Sequence, residues 1–504
     1  MNQRKAGALL SYVSFFISNI VSLIYTPYML RLMGQSEYGL HGTASSMISY
    51  LSLLSFGVGG AYIRYNARCR AVNDVEGERV LNGSFMLMFS VLAALVLVCG
   101  SMMVLFSEYL VEYTFTNQEI HRLRILMIVG IIGTALTFLS NTVMMTIIAY
   151  EKFIFLRVTH LITSIVTPIA NLIALYVGGR AVALSVVTLM ISIACFFAYF
   201  VYAWRVLKFR FTFRGIQPAL FKEILIFSSF LFLGSITDQI TNATDNVILG
   251  AVSGTTAVAI YAVGANFRTY FLNFSTSISA VFTQRVHAIV AANGSDAELD
   301  EVFRRVGRIQ FYILSLILIG YISIGHDFIC LWAGPDYSVS YLIGLMLMLA
   351  VFVPLFQNVG LEIQKAKNKH KARSIVYLII ALANVAMTIP LAKIWGGTGA
   401  AFATMICMIA GNTLFMNWYY AKHVGLDIVG FWKAIASILP GLIIPAAVGF
   451  VINRFWRLDS YGDILIAIVL ITGSYCASIW CVSMNPYEKQ LILQPMKRLL
   501  QRKK

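Results

Sequence analysis

Charge is what this sequence has least of. Only 12% of its 504 residues are Asp, Glu, Lys or Arg, and 59% are hydrophobic. Soluble domains carry about 25% charged residues, and a water-soluble fold could not hide this much apolar surface. Acids are scarcer than bases, 22 against 38. Cysteines number seven: Cys69, Cys99, Cys195, Cys330, Cys407, Cys476 and Cys481. None forms a CxxC pair and most sit inside apolar blocks, which excludes a zinc or disulfide framework. They read as small buried hydrophobes. No HExxH, P-loop or GxSxG elbow occurs, so the chain offers no catalytic constellation and no direct ATP drive. It reads as no enzyme, with no metal and no cofactor. Long polar stretches are missing too, which leaves no room for a soluble domain.

What is there is a series of apolar blocks of about 20 to 28 residues, each able to cross a hydrocarbon core of about 30 Å. Helices are the expected form, because each segment must satisfy its own backbone groups. The ~10-residue alternating segments of a transmembrane β-barrel are absent. The fold class expected is all-α transmembrane with 14 helices, at 8–32, 38–63, 80–106, 123–149, 154–177, 181–204, 224–250, 255–283, 306–332, 339–363, 373–394, 398–421, 431–452 and 461–483. The start, with Arg4 and Lys5 before an apolar run to about Met33, imitates a signal peptide. It lacks a small-x-small cleavage site, so an uncleaved first helix is expected.

The net charge of +16 invites a nucleic-acid reading, but the bases fall in short runs between apolar blocks, the positive-inside pattern. With the N-terminus placed in the cytoplasm, thirty of the 38 Lys and Arg lie on that side. The outer side receives Arg31, Arg122, Arg124, Arg180, Lys393, Arg454 and Arg457, and Arg268 falls mid-span. Both termini are therefore expected to be cytoplasmic, with no nucleic-acid partner.

A repeat runs at an offset near 220. Gly34 between the first two spans matches Gly254 between the seventh and eighth. Arg64 matches Arg285, Lys152 matches Lys371, and Gly178-Gly179 matches Gly396-Gly397. Six spans per repeat is an even number, so the two halves are parallel repeats about an axis along the membrane normal. The expected organisation is a six-helix lobe at 1–215, a second at 216–428, two additional helices at 429–484 and a basic tail at 485–504.

The polar residues inside the spans carry the functional argument. Gly234, Asp238, Asn242 and Asp245 recur at helical spacing on one face of the seventh span. Shifted by 220, the first span offers Ser14, Ser18, Ser22 and Tyr25, with Ser11 a turn earlier. An ionisable group mid-membrane costs about 2.5–3.5 kcal/mol on insertion scales, so it faces a cavity or a partner. Packing glue between helices is the bland alternative. Arg268 has Ile48 as its repeat counterpart, so the fold itself does not demand it. It either neutralises Asp238 or Asp245, or faces a wet cavity and grips an anionic group through its fork of donors. His41, His160 and His326 fall near span ends, where an interfacial role is expected.

Several segments carry a resemblance. They are Leu32-Met-Gly-Gln-Ser-Glu-Tyr-Gly-Leu40, Tyr50-Leu-Ser-Leu-Leu-Ser-Phe-Gly57, Thr244-Asp-Asn-Val-Ile-Leu-Gly250 with Ile260-Tyr261, Leu331-Trp-Ala-Gly-Pro-Asp-Tyr337, and Gly396-Gly-Thr-Gly-Ala-Ala-Phe402. In this order they resemble bacterial polysaccharide-biosynthesis flippases, the oligosaccharide branch of the multidrug/oligosaccharidyl-lipid/polysaccharide exporter superfamily. The resemblance implies two parallel six-helix repeats around a central cavity plus two C-terminal helices, working by alternating access. It implies a polyprenyl-diphosphate-linked oligosaccharide as cargo and a bacterial cytoplasmic (inner) membrane as location. Membrane lipids are further partners, and a polysaccharide polymerase or glycosyltransferases are open as others. Relatives are similar in placing cations in the cavity, one of them on the eighth helix, here Arg268. This chain departs in having no mid-span arginine on its first two spans, only Arg31 and Arg64 near their ends. The expected substrate-binding residues are Arg268, Arg64, Arg285 and Asn242. Asp238 and Asp245 are expected to couple transport to protons or sodium ions. Two alternatives stay open: an ion-coupled drug/cation antiporter of the same superfamily, and a membrane-embedded glycosyltransferase or polymerase. The second normally needs acids on a sizeable outer loop, and the longest here, around Ser107 to Arg122, holds only Glu108, Glu112 and Glu119.

Overall fold

The computed structural model describes residues 3–55, 58–216, 218–292, 294–367, 369 and 371–501. Every regular element among them is helical, and the chain is an all-α membrane protein. Twelve stretches are long and apolar enough to cross a bilayer. Two are each divided by a glycine, Gly254 at φ 82° and Gly396 at φ 56°, which makes fourteen crossing helices among the described residues. They are α1 (Gln3–Met33), α2 (Gln35–Ala71), α3 (Val75–Val111), α4 (Asn117–Ala149), α5 (Phe153–Tyr176) and α6 (Ala181–Arg205). Then come α7 (218–253) and α8 (255–291), α9 (Asp296–Trp332) and α10 (Ser340–Phe356). The last crossings are α11 (371–395) and α12 (397–424), α13 (Ile428–Phe455) and α14 (Tyr461–Ser483). A fifteenth helix, α15 (Pro486–Gln501), follows.

The repeat is written in the backbone as well as in the residues. Gly34 (φ 78°) separates α1 from α2, as Gly254 separates α7 from α8. Gly178 (φ 92°) precedes α6, as Gly396 precedes α12. At Gly34 (ψ 166°) and Gly254 (ψ 179°) the positive φ joins an extended ψ, where an L side chain strains the backbone by about 1–3 kcal/mol, so glycine lets the chain reverse there with almost no loop.

The crossings differ from continuous helices at places the apolar pattern does not mark. The second span is interrupted: Gln35–Ser49 gives way to a tight turn at Tyr50–Ser55 before Val58–Ala71 resumes. Ser49 and Ser52 donate to the carbonyls three residues back, at 2.6 Å each, and this favours the tighter winding. The tenth crossing stops at Gln357, and a short helix, Asn358–Ala366, completes it. α12 and α14 end in wider π-type turns at Ile409–Phe415, Tyr420–Val424 and Ile479–Ser483.

The chain divides into two compact units, residues 1–262 with 384–400 and residues 263–383 with 401–504. In the first, α4 is the hub, packing against α2, α3 and α6 while α1 lies along α5. Its interior holds a polar knot, with the Tyr62 hydroxyl 2.7 Å from Asn82 and 2.8 Å from Thr146. In the second, α9 is the hub against α10, α13 and α14. Phe303 stacks on Phe431 at 4.3 Å, and Phe431 on Phe356 at 6.0 Å.

Candidate functional site

α7 meets α2 within the first unit through Gln239, Thr244 and Asn246. Asn246 donates to the Ser46 hydroxyl at 3.0 Å, Gln239 donates to Ser49, and Tyr50 pairs with Thr244. The seam continues to the Gly254 turn. There the Thr114 hydroxyl donates to the Gly250 carbonyl at 2.7 Å, and Thr255 reaches Glu119 at 3.1 Å. The Gly39 backbone lies so near the Thr255 carbonyl that a Cβ would come within 1.8 Å of it, so only glycine fits that crossing. Beside the seam, Glu37 is 7% exposed. It receives Arg122 and the Ala181 amide at 3.3 Å, with Arg180 at 3.6 Å. This cluster pins the starts of α2, α4 and α6 together.

The site residues expected from sequence fall into two groups. Asp245 is buried, at 3% exposure, and accepts a hydrogen bond from the Tyr261 hydroxyl across the Gly254 turn. Arg268 is buried too, at 6%. Asp245 stands nine residues from Gly254 and Arg268 fourteen, which at 1.5 Å per residue is about 14 and about 21 Å along their helices. Both depths fall inside a hydrocarbon core of about 30 Å. Arg268 neighbours Phe267 in the chain, whose ring anchors an aromatic group with Tyr321, Phe328 and Trp332 at 5.3–6.2 Å.

Arg64 and Arg285 are exposed. Arg285 lies seventeen residues beyond Arg268, about 25 Å along α8, so the two act at different depths. It lines a cleft of about 400 Å³ in the second unit, together with Glu298, Glu301, Arg305, Tyr487 and Leu491. The side chains of Asp238 and Asn242 lie outside the described residues. Ser14 and Ser18 on α1 are partly or fully buried, and among the described residues their hydroxyls have no hydrogen-bond partner. No group of three His, Cys, Asp or Glu able to hold a metal ion occurs among the described residues.

Reading the sequence missed the densest polar site. Arg308 on α9 is bidentate to Glu488 of α15, with Nε at 2.6 Å and Nη2 at 3.0 Å. It also donates to the Ala434 carbonyl at 2.6 Å, Ser437 at 2.7 Å, Tyr312 at 2.8 Å and the Ser483 carbonyl at 3.0 Å. Glu488 further accepts from Tyr312 and from the Asn485 amide, at 2.9 Å each. Burial alone would raise the Glu488 carboxyl; the bonds from Arg308, Asn485 and Tyr312 outweigh it and hold the group below its ordinary value. Arg308 looks like one more base at a span end, and Glu488 is 180 residues away, so no local pattern joins them.

The sequence profile of a family described as "Polysaccharide biosynthesis protein" matches residues 5–283. No curated protein sequence matches the chain. Among solved structures, the lipid II flippase MurJ in its inward closed conformation superposes with a TM-score of 0.73 at 16% identity, covering 96% of this chain and 99% of that one. An inward-facing multidrug resistance MATE family transporter of the MOP superfamily gives 0.62 at 15% identity, over 83% of this chain and 96% of that one. A MATE in the bent conformation gives 0.53 at 15% identity, over 86% and 98%. At these identities the likeness is one of fold.

Proposed function

The chain belongs to the polysaccharide biosynthesis protein family, and from that premise we propose that it is a flippase for polyprenyl-diphosphate-linked oligosaccharide units. It carries them across the bacterial cytoplasmic membrane by alternating access, for assembly of a surface polysaccharide. The observation that carries the reading is the family match joined to a flippase-like fold over nearly the whole chain. The proposed moving parts are the lobes at 1–215 and 216–428, with 429–484 and 485–504 appended, and both termini are cytoplasmic.

The chemistry follows from the cargo. A sugar head group must cross in a wet groove while its lipid tail stays in hydrocarbon. The diphosphate is the part common to all such cargo, and its charge could not cross unpaired. A guanidinium held in a low-dielectric site offsets that cost with charge-assisted, forked hydrogen bonds. Arg268, buried and about 21 Å along its helix from the Gly254 turn, is assigned that role. Arg64 and Arg285, exposed near helix ends, attract the head group at the cytoplasmic entrance, and Asn242 adds a neutral contact. Asp238 and Asp245 bind or relay the proton or sodium ion that resets the cycle. A polymerase or glycosyltransferases supply and consume the cargo.

The test is export of surface polysaccharide in cells. Arg268→Ala should abolish it while the protein remains inserted at normal levels, and Arg268→Lys should restore part of it by keeping the charge without the fork. Normal export by a triple variant neutral at Arg268, Asp238 and Asp245 would overturn the reading and leave these groups as mutual charge balance. The MATE-like fold favours one competitor, a cation antiporter. It predicts that the two acids matter to drug efflux and that Arg268→Ala leaves the polysaccharide intact.

A further inference from the structure

A second cleft, also about 400 Å³, opens within the first unit between α2, α4 and α6. Its walls carry His41 and Ser49 from α2, Thr134 and Thr137 from α4, and Thr188 and Ser192 from α6. Among the described residues, no Asp, Glu, Lys or Arg lines it. Its volume falls in the range of small-molecule sites, ~300–1,000 Å³. Thr134 and Ser49 stand near the middle of their crossings, where hydrocarbon would normally be matched by hydrocarbon.

The hydrogen bonds inside the walls decide what the cleft can hold. Thr134 donates to the Gly130 carbonyl at 2.9 Å and Thr137 to Gly133 at 3.0 Å. Thr188 donates to Leu184 and Ser192 to Thr188, both at 2.9 Å. Ser49 donates to Ser46 at 2.6 Å. Each of these five hydroxyls has thus placed its proton on its own helix, and what it has left to offer is lone pairs; His41, Ser45 and Ser185 in the same lining can still donate. The cleft is an uncharged polar array in which acceptors outnumber donors. A phosphate would meet mostly lone pairs there and no Lys or Arg to balance its charge. An alkyl chain would gain nothing from hydroxyls lining the walls. A ligand rich in neutral O–H and N–H donors complements the array. The wall also joins the α2–α7 seam, because Ser49 accepts from Gln239, six residues before Asp245 on α7.

We propose that this cleft seats the sugar of the cargo, a neutral hydroxyl- and amide-bearing saccharide. Its residues are separate from those that grip the diphosphate. The inference rests on the flippase reading above and adds where, and by what chemistry, the saccharide is recognised.

Two probes separate the two grips: farnesyl diphosphate, which has no sugar, and farnesyl-diphospho-N-acetylglucosamine. Binding is measured on the purified full-length protein in nanodiscs. Wild type should prefer the glycosylated probe about tenfold, the worth of one or two neutral hydrogen bonds. The Thr134→Val/Thr188→Val variant keeps side-chain shape but lacks the lone pairs; it should bind farnesyl diphosphate as wild type does and lose the preference. Gly133→Leu is an independent variant. A Cβ at Gly133 meets only Leu189 Cδ1, at 3.8 Å, so the added side chain fills the cleft, and it too should lose the preference. Arg268→Ala should weaken both probes equally. A preference retained in both cleft variants, or none in wild type with farnesyl diphosphate still bound, would overturn the sugar seat and leave the flippase reading standing. Wild type that binds neither probe would take down both.

Discussion

The Arg308 knot and the α2–α7 seam are both buried polar contacts between helices, yet they are built from opposite materials. The knot joins a full guanidinium to a full carboxylate and fills nearly every remaining donor and acceptor with a second partner. Between α2 and α7 themselves the seam uses single bonds between neutral groups: Asn246 to Ser46, Gln239 to Ser49, Tyr50 to Thr244. Breaking one side of a buried ion pair strands a charge and costs about 3–5 kcal/mol. Breaking one neutral bond between membrane helices costs about 0.6 kcal/mol on average. The first suits parts that stay together through every state. The second suits parts that separate in a transport cycle, since its few bonds can be exchanged for water without stranding charge.

The largest expected effect therefore lies at the knot. Arg308→Met should lower stability by about 3–5 kcal/mol because Glu488 is left buried and unpaired. Arg308→Met combined with Glu488→Leu should recover much of that loss, since a buried pair replaced by apolar groups is often neutral. Thermal unfolding in detergent checks both. A double variant no better than the single would mean that the neutral bonds to Ala434, Ser437 and Tyr312, and not the pair, hold α15 in place.

The same pair predicts a pH dependence, with a sign that follows from Glu488. Its folded-state pKa lies below the unfolded value. Its stabilisation is complete above the unfolded carboxylate pKa of about 4.3 and is lost as pH falls through the folded one. Melting temperature should decline as pH drops below about 4, and Glu488→Gln should flatten that decline. An equal decline in the variant would assign the acid sensitivity to other carboxylates.

Glycine strain comes next in size and tests the turn that ends the seam. Gly34 and Gly254 sit in left-handed backbone with room for a side chain. Alanine at either should then cost about 1–3 kcal/mol from backbone strain alone. Nearly equal melting losses for Gly34→Ala and Gly254→Ala would show the two turns to be energetic as well as sequence repeats. A loss at Gly254 alone would mean that the seam, and not the turn, carries the cost.

The two regions also differ in how far the sequence discloses them. Crossing helices are legible because apolar length and glycine punctuation are local signals, and the Gly34–Gly254 correspondence survives as shared backbone geometry. Asp245 and Arg268 are legible as charges inside apolar runs, and both are buried. The break in α2 at Tyr50–Ser55 is not, because its serines act through hydrogen bonds that leave the apolar pattern unchanged. Nor is the hydroxyl cleft, whose threonines and serines read as packing glue until α2, α4 and α6 are brought together. His41 looks interfacial in sequence because it stands near the start of its span, yet it lines that cleft.

The smallest expected effect is at the seam, and it tests the contrast most directly. If α2 and α7 part during the proposed cycle, weakening one seam bond should favour the parted state and leave the fold intact. Asn246→Ala removes the 3.0 Å bond to Ser46, and Tyr50→Phe removes the bond to Thr244. A loss of about 0.6 kcal/mol shifts a two-state population about threefold. Thr255 is buried at the end of the seam, bonded to Glu119, so a single cysteine there, in a cysteine-free background, reports the parted state by its labelling rate with a polar maleimide. Each seam variant should raise that rate about threefold, with a melting temperature close to wild type. An unchanged rate together with a melting loss as large as that of Arg308→Met would erase the contrast and make the seam a second structural knot.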